Sequence, residues 1–93
     1  MVVRLGWKRI YKYDVHGKRL CEAELDIPAK VEEAYVLGYT SILIIHGYRH
    51  GIVLRNYVRN RLLYDVKRFT DVPFIEIDDS EPGCTLVNLM RNN

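Results

Sequence analysis

The sequence predicts an α/β fold: a single two-layer sandwich domain with the order β-α-β-α-β-β and a four-stranded mixed sheet. Of its 93 residues, 48% are apolar and 28% charged, which is typical of one small globular domain. Segments in which apolar and polar residues alternate, as in strands, flank two segments whose apolar residues recur every three or four positions, as in helices. We therefore treat residues 1–93 as one domain, with a core over residues 10–90 and an N-terminal extension before it.

The first strand is predicted over residues 9–15, where apolar side chains alternate with polar ones. Residues two apart on a strand share a face, so Asp14 and His16 should point the same way while Val15 points into the core. Gly17 ends this strand.

Residues 19–37 carry two patterns. Apolar residues alternate with acidic ones near the start, as in a strand, and a longer series has helical spacing: Leu20, Ala23, Ile27, Val31, Ala34 and Tyr35. We favour a helix that ends at Gly38, although Pro28 costs a helix interior about 3 kcal/mol. The alternative is a hairpin through His16-Gly17, followed by a short helix that begins near Asp26.

The second half predicts one strand, one helix and two further strands. Ser41–Ile45 is apolar after its first residue, which is typical of a central strand covered on both faces. Apolar residues three or four apart predict a helix from about Ile52 to Phe69. Val72–Asp78 alternates as a strand does, residues 79–83 have turn composition, and Thr85–Met90 is the last strand.

Several protein classes are excluded by simple patterns. Cys21 and Cys84 are isolated, so no zinc-binding pattern is present. The start of the chain meets Arg4 after only three residues and does not resemble a signal peptide. No apolar run approaches the roughly 20 residues that span a bilayer. These features predict a reduced, cytoplasmic protein that does not associate with membranes.

The candidate site lies at two strand ends. A helical crossover makes the first two strands parallel, so the loops that follow them, residues 14–17 and 46–51, should lie side by side. The second loop opens a helix, whose first N–H groups favour an anion. We therefore expect His16 and His46 to lie close together at an anion-binding edge of the sheet.

Charge distribution also bears on function. The net charge of +2 is modest, but Lys and Arg cluster in the N-terminal quarter and between Arg49 and Arg68. This segregation favours one basic face that contacts nucleic acid. The alternative is two ordinary solvated helix faces.

Three short segments resemble motifs of a known family. Asp14-Val15-His16-Gly17 resembles the L-D-x-H-G motif of the small MutS-related (Smr) domain. The loop 46–51 stands where that family has H-G-x-G-x-G, and residues 83–89 are similar to its G-x-T-V-V-E-L strand. The resemblance covers roughly residues 13–89, with departures at Tyr13, Arg49 and His50.

This resemblance implies a compact α/β sandwich on a four-stranded sheet. It also implies binding of branched or structured nucleic acid and nicking or cleavage of DNA or RNA. By position, the matching motif residues are Asp14, His16, His46, Gly47 and Gly51.

The chemistry that these residues permit is phosphodiester cleavage. We expect His16 and His46 to act as general base and acid, one of them oriented by Asp14, because histidine titrates near neutral pH. No cofactor is indicated. A divalent metal would need clustered carboxylates, and only Asp14 is placed to serve one. The alternatives are that Asp14 bonds its own loop, that His16 caps a turn, and that His46 is a buried structural histidine.

A second set of residues is predicted to contact phosphate or bases. Arg49, with the amides of Gly47 and Gly51, would stabilise charge that develops on the phosphate. The full set is Gly47, Tyr48, Arg49, His50, Gly51, Arg55, Arg59 and Lys18. Arg55 and Arg59 share one helix face, which the alternative treats as merely solvated.

Three functions follow from the sequence. The first is a nucleic-acid-binding domain with endonuclease activity on RNA or structured DNA. The second is a binding module without catalysis, suggested by Arg49 in place of the family's glycine. The third, supported only by the modest net charge, is a domain for protein or small phosphometabolite partners. The choice between DNA and RNA stays open, and a monomer is the default.

Overall fold

The structure, a computed structural model, describes residues 9–47 and 52–90, without the side chains of Phe74 and Met90. The elements in chain order are β1 (Ile10–Asp14), α1 (Leu20–Val36), β2 (Ser41–Ile45), α2 (Ile52–Asn60), α3 (Leu62–Phe69), β3 (Phe74–Asp78) and β4 (Cys84–Met90). The predicted order is confirmed, with the second helix divided in two. The predicted N-terminal extension, residues 1–8, lies outside the described residues.

The sheet has four strands in the order β1-β2-β4-β3. β1 and β2 pair in parallel, whereas β4 pairs antiparallel with both β2 and β3, so the sheet is mixed as predicted. The last strand is therefore inserted beside the second. Its register sets Thr85 opposite Ile44 and Cys84 opposite Ile45.

The helix prediction for residues 19–37 is confirmed, and the alternative hairpin is wrong. α1 is continuous through Pro28, and its buried stripe is Ala23, Ile27, Pro28, Val31 and Ala34. The missing N–H of a proline costs a helix about 3 kcal/mol. Here the ring lies in the buried face, so hydrophobic burial offsets part of that cost.

The C-terminus of α1 is closed by a glycine in the left-handed conformation. Gly38 has a φ of +89°, which L side chains rarely adopt. Its N–H donates to the Tyr35 carbonyl at 3.2 Å, and the Tyr39 N–H donates to the Ala34 carbonyl at 3.0 Å. These two bonds satisfy carbonyls that the end of a helix otherwise leaves without partners. They turn the chain into β2.

The prediction of a single helix from about Ile52 to Phe69 is corrected by a break at Arg61. The backbone there has φ −121° and ψ −22°, outside the helical region. The Arg61 guanidinium donates to Glu24 on α1 at 2.8 Å and lies 5.8 Å from the Tyr57 ring centroid. The break allows α2 to contact β4 while α3 contacts α1 and β3.

Among the described residues, the helices lie against one face of the sheet, so the prediction that β2 is covered on both faces is corrected for this part of the chain. Ile42 and Ile44 are fully buried in the core beneath the helices. Leu43 and Ile45, on the opposite face, are only partly buried. Ser41 is buried on that face, where its hydroxyl bonds the Asn88 side chain at 2.7 Å. An apolar sequence is thus compatible with a central strand in a two-layer structure.

Within the described ranges, no helix is long and apolar enough to cross a membrane.

We predict that Gly38→Ala lowers the free energy of unfolding by about 1–2 kcal/mol, the cost of the left-handed conformation for an L residue. The added Cβ would lie 3.4 Å from Arg9 Nη1, an ordinary contact, so backbone conformation and not crowding sets the cost. Urea unfolding measures it. Gly38→Asn is the matched control, because asparagine tolerates this conformation and should lose clearly less stability. Equal losses in the two variants would contradict the assignment.

Candidate functional site

The loops that follow β1 and β2 meet at one edge of the sheet, as the topology predicts. The Val15 N–H donates to the Ile45 carbonyl at 2.9 Å, which continues the parallel pairing to the ends of both strands. Beyond this bond, a Cβ built on Gly47 would lie 3.5 Å from the His16 Cβ. The two motif segments therefore lie close together, although 30 residues separate His16 from His46.

Asp14 and His16 form an exposed pair. Asp14 Oδ1 accepts the backbone N–H of His16 at 3.0 Å and lies 2.6 Å from His16 Nδ1. The two side chains are 51% and 70% exposed, respectively. The carboxylate thus bonds its own loop, as the alternative proposed, and also orients the imidazole. These two hydrogen bonds, the ring bond above all, hold the pKa of Asp14 below its usual value.

His46 is placed differently, with only 1% of the residue exposed. Its Nε2 lies 2.9 Å from Thr85 Oγ1, and its Nδ1 lies 3.2 Å from the Gly47 carbonyl oxygen. Burial, and to a lesser degree the charges of Arg59 and Arg55, lower the pKa of His46, while the Gly47 carbonyl opposes them. The loops converge, but the two rings do not face one solvent-exposed anion. This geometry favours the alternative of a buried structural histidine.

Gly47 is tied down through its backbone. It has a φ of +87°, and its N–H donates to the Gly83 carbonyl at 2.9 Å. The His46 N–H donates to the same oxygen at 3.2 Å. The prediction that the Gly47 amide stabilises charge on a phosphate is corrected here, because that donor is already used inside the protein.

Two of the predicted cations have partners within the domain. Arg59 donates from Nε to Thr85 Oγ1 at 3.1 Å and from Nη2 to the Glu81 carbonyl at 2.6 Å. Lys18 pairs with Asp26 at 3.1 Å, and this carboxylate raises the pKa of Lys18. Internal partners therefore hold both side chains, and only the N–H donors that these bonds leave unused could contact nucleic acid.

Arg55 differs from these two cations. It lies in the first turn of α2 and is half-buried. Its positive charge contributes to the lowered pKa of His46. Among residues 9–47 and 52–90, no hydrogen bond or ion pair engages its guanidinium. Of the three predicted cations in the described part of the chain, Arg55 is the one whose guanidinium has no partner among the described residues.

The other predicted contacts, Tyr48, Arg49, His50 and Gly51, lie outside the described residues, and their roles stay predictions. In the part of the chain that the structure describes, no three His, Cys, Asp or Glu side chains are grouped to hold a metal ion.

Sequence reasoning assigned no role to Thr85 or Gly83, although both lie in the last of the three motifs. Thr85 is fully buried and bonds both His46 and Arg59. Gly83 supplies the carbonyl that holds the 46–47 backbone. A buried polar residue within an apolar strand was the signal for Thr85, since such a side chain needs a partner.

The fold and the site together define a small α/β domain with an exposed Asp–His pair and a buried histidine on adjoining loops. Comparison with known families identifies it further. The family model for the Smr domain matches residues 13–90, and the chain belongs to that family.

Relatives and a solved structure agree with this assignment. The chain is 35% identical over 79 residues to the endonuclease MutS2 of Caldicellulosiruptor saccharolyticus and 38% identical over 78 residues to that of Caldicellulosiruptor bescii. Each match covers 82% of this chain but only 9% of the relative. The crystal structure of the Smr domain of Thermus thermophilus MutS2 superposes with a TM-score of 0.62 at 27% identity, covering 87% of this chain and 99% of that one.

We predict that His16→Ala raises the pKa of Asp14 toward its ordinary value, because the ring bond is the larger cause of the lowering. The bonded turn contributes stability above the ordinary carboxyl pKa, and that contribution is lost as the pH falls through the lowered value. Carbon-13 NMR of the carboxyl group across an acid titration measures the change. Lys18→Ala is the control on the same loop and should leave Asp14 unchanged. An Asp14 titration that His16→Ala does not move would refute the pairing.

Proposed function

We propose that this domain binds nucleic acid and cleaves or nicks phosphodiester bonds in RNA or structured DNA. The single observation that carries the proposal is the solvent-exposed Asp14–His16 pair, in a chain of the Smr family. The relatives are named endonuclease MutS2, which supports the same chemistry. Because this chain spans about a tenth of their length, the activity of the whole relatives is proposed here, not transferred.

The Asp14–His16 pair supplies the proton transfer. In the neutral ring, Nδ1–H donates to Asp14 Oδ1, so Nε2 carries the lone pair that accepts a proton. A water molecule, or the 2′-hydroxyl of RNA, gives up its proton to Nε2 as its oxygen attacks the phosphorus, and the bond between phosphorus and the leaving oxygen breaks. The Asp14 carboxylate then stabilises the imidazolium that forms. No metal is needed for this step.

Positively charged residues would bind the phosphate groups. Arg55 is available in the first turn of α2, and a guanidinium forms paired hydrogen bonds with phosphate oxygens. The predicted contacts of Tyr48, Arg49, His50 and Gly51 would add to it, since they belong to the loop that joins His46 to α2. Lys18 would contribute through the ammonium hydrogens that its bond to Asp26 leaves unused.

A non-catalytic binding module is the second candidate, and one observation favours it. Cleavage needs a base for the nucleophile and an acid for the leaving oxygen. Within the described residues, His16 is the exposed imidazole of the site, while the predicted partner His46 is buried with both ring nitrogens bonded. The leaving oxygen must then take its proton from water or from a group beyond the described residues.

We predict that the wild-type domain cleaves at least one substrate among labelled single-stranded, duplex and branched DNA and RNA. His16→Ala and Asp14→Asn should each lower the rate by about a hundredfold or more, the contribution of a positioned base, with binding retained. EDTA in parallel reactions tests a metal requirement. Lys67→Ala, an exposed cation of α3, is the control and should cut at the wild-type rate. Binding without cleavage of any substrate would favour the second candidate.

We predict that Arg55→Gln weakens binding and reduces the salt dependence of the dissociation constant by about one phosphate contact. The reason is that its guanidinium is available to a ligand, whereas that of Arg59 is engaged. Fluorescence anisotropy at several salt concentrations measures both quantities. Lys67→Ala again serves as the control for loss of one positive charge. An unchanged salt slope in Arg55→Gln would remove Arg55 from the binding surface.

A further inference from the structure

A chain of hydrogen bonds runs through the buried side of the site. It starts at Arg59 on α2, passes through the hydroxyl of Thr85 on β4 and the ring of His46, and ends at the carbonyl of Gly47. The three heavy-atom distances are 3.1, 2.9 and 3.2 Å, in that order. Thr85 is 0% exposed and His46 is 1% exposed, so water does not compete for these bonds.

The hydrogens of this chain have one consistent arrangement. A carbonyl only accepts and a guanidinium only donates, so His46 Nδ1 must carry a hydrogen for Gly47, and Arg59 Nε–H must donate to Thr85. In a neutral ring, His46 Nε2 then has no hydrogen and accepts that of the Thr85 hydroxyl. Every bond therefore points from Arg59 toward Gly47.

The charged ring is disfavoured at this position. If His46 Nε2 also carried a hydrogen, Thr85 Oγ1 would receive two donors and its own buried hydrogen would be left without an acceptor. An unsatisfied buried group costs about 1–3 kcal/mol. The burial of the ring, and to a lesser degree the positive charges of Arg59 and Arg55, act in the same direction by lowering the pKa of His46.

We propose that Arg59 is a positioning residue that acts through Thr85 to hold His46 as the neutral Nδ1–H tautomer, and that this ring fixes the Gly47 backbone against His16. Arg59 reaches Gly47 by a second route. Its Nη2 donates to the Glu81 carbonyl in the turn before β4, and that turn carries the Gly83 carbonyl that accepts the Gly47 N–H.

The consequence for the site follows from the close contact between the two loops. Gly47 carries only a hydrogen at the position where the Cβ of another residue would lie 3.5 Å from the His16 Cβ. A shift of the Gly47 backbone therefore changes the space into which the His16 loop fits. Any effect of Arg59 on cleavage rests on the proposed function. The tautomer of His46 can be tested whether or not the domain cleaves nucleic acid.

The first test reads the tautomer without reference to activity. Long-range proton–nitrogen NMR of the wild-type protein near neutral pH should show His46 with a protonated Nδ1 and an unprotonated Nε2. Thr85→Val and Arg59→Gln should each shift the Nε2 resonance or average the two tautomers, and Thr85→Ser should restore the wild-type pattern. Arg61→Gln, an exposed arginine next to α2, is the matched control and should change nothing. A proton on Nε2 in the wild type, or an unmoved ring in Thr85→Val, would overturn the proposal.

The second test reads the effect on the site. Where cleavage is measurable, Thr85→Val should lower kcat by between about tenfold and a hundredfold with little change in KM, as expected when a catalytic group is displaced by a fraction of an ångström. Thr85→Ser should recover most of the rate. An unchanged kcat in Thr85→Val would overturn the positioning role even with the tautomer confirmed. If the wild type cleaves nothing, the proposed function fails while the NMR result still decides the hydrogen-bond chain.

Discussion

The pairing register between β2 and β4 is the constraint on which the rest of the structure depends. Side chains alternate between the two faces of a strand, so a slip of one residue would move Thr85 from the helix-covered face to the open face. In the observed register, Thr85 lies opposite Ile44 and comes under the ring of His46. The same register brings the Gly83 carbonyl to the N–H groups of His46 and Gly47. A sheet contact thereby fixes His46 and Gly47, and Gly47 lies close to His16 of the exposed Asp14–His16 pair.

Most of the fold could be predicted from local patterns, because its strands and helices each carry their own periodicity. The helix of residues 20–36 was recoverable despite Pro28, since its buried stripe outweighed the short alternation near its start. The break at Arg61 was not recoverable. It accompanies contacts with Glu24 on another helix and with the Tyr57 ring, and neither contact leaves a mark on the spacing of apolar residues. The one-sided burial of β2 was not predictable either, because an apolar residue in the sequence does not indicate whether its face of the strand is fully or only partly covered.

The exposed part of the site was more predictable than its buried part. Asp14 and His16 are two apart at a strand end, and that spacing alone places them on one side. The position of His46 depends on Thr85 and Arg59, which lie 39 and 13 residues further along the chain, and no local pattern states that they meet it. Arg59 illustrates the limit. Its spacing from Arg55 suggests that both are surface cations of the same kind. In the structure, Arg59 donates internal hydrogen bonds, whereas Arg55 has no partner among the described residues.

The late position of β4 has a consequence for how the molecule comes into being during synthesis. Every other strand and helix of the described chain precedes it, yet it occupies an interior place in the sheet. A ribosome-bound chain that ends before Gly83 contains residues 14–17 and 46–51 but lacks both the Gly83 carbonyl and the Thr85 hydroxyl that bond His46 and Gly47. The nascent protein therefore lacks these bonds to His46 and Gly47 until β4 has emerged. The bonds that hold His46 and Gly47 form when β4 completes the sheet.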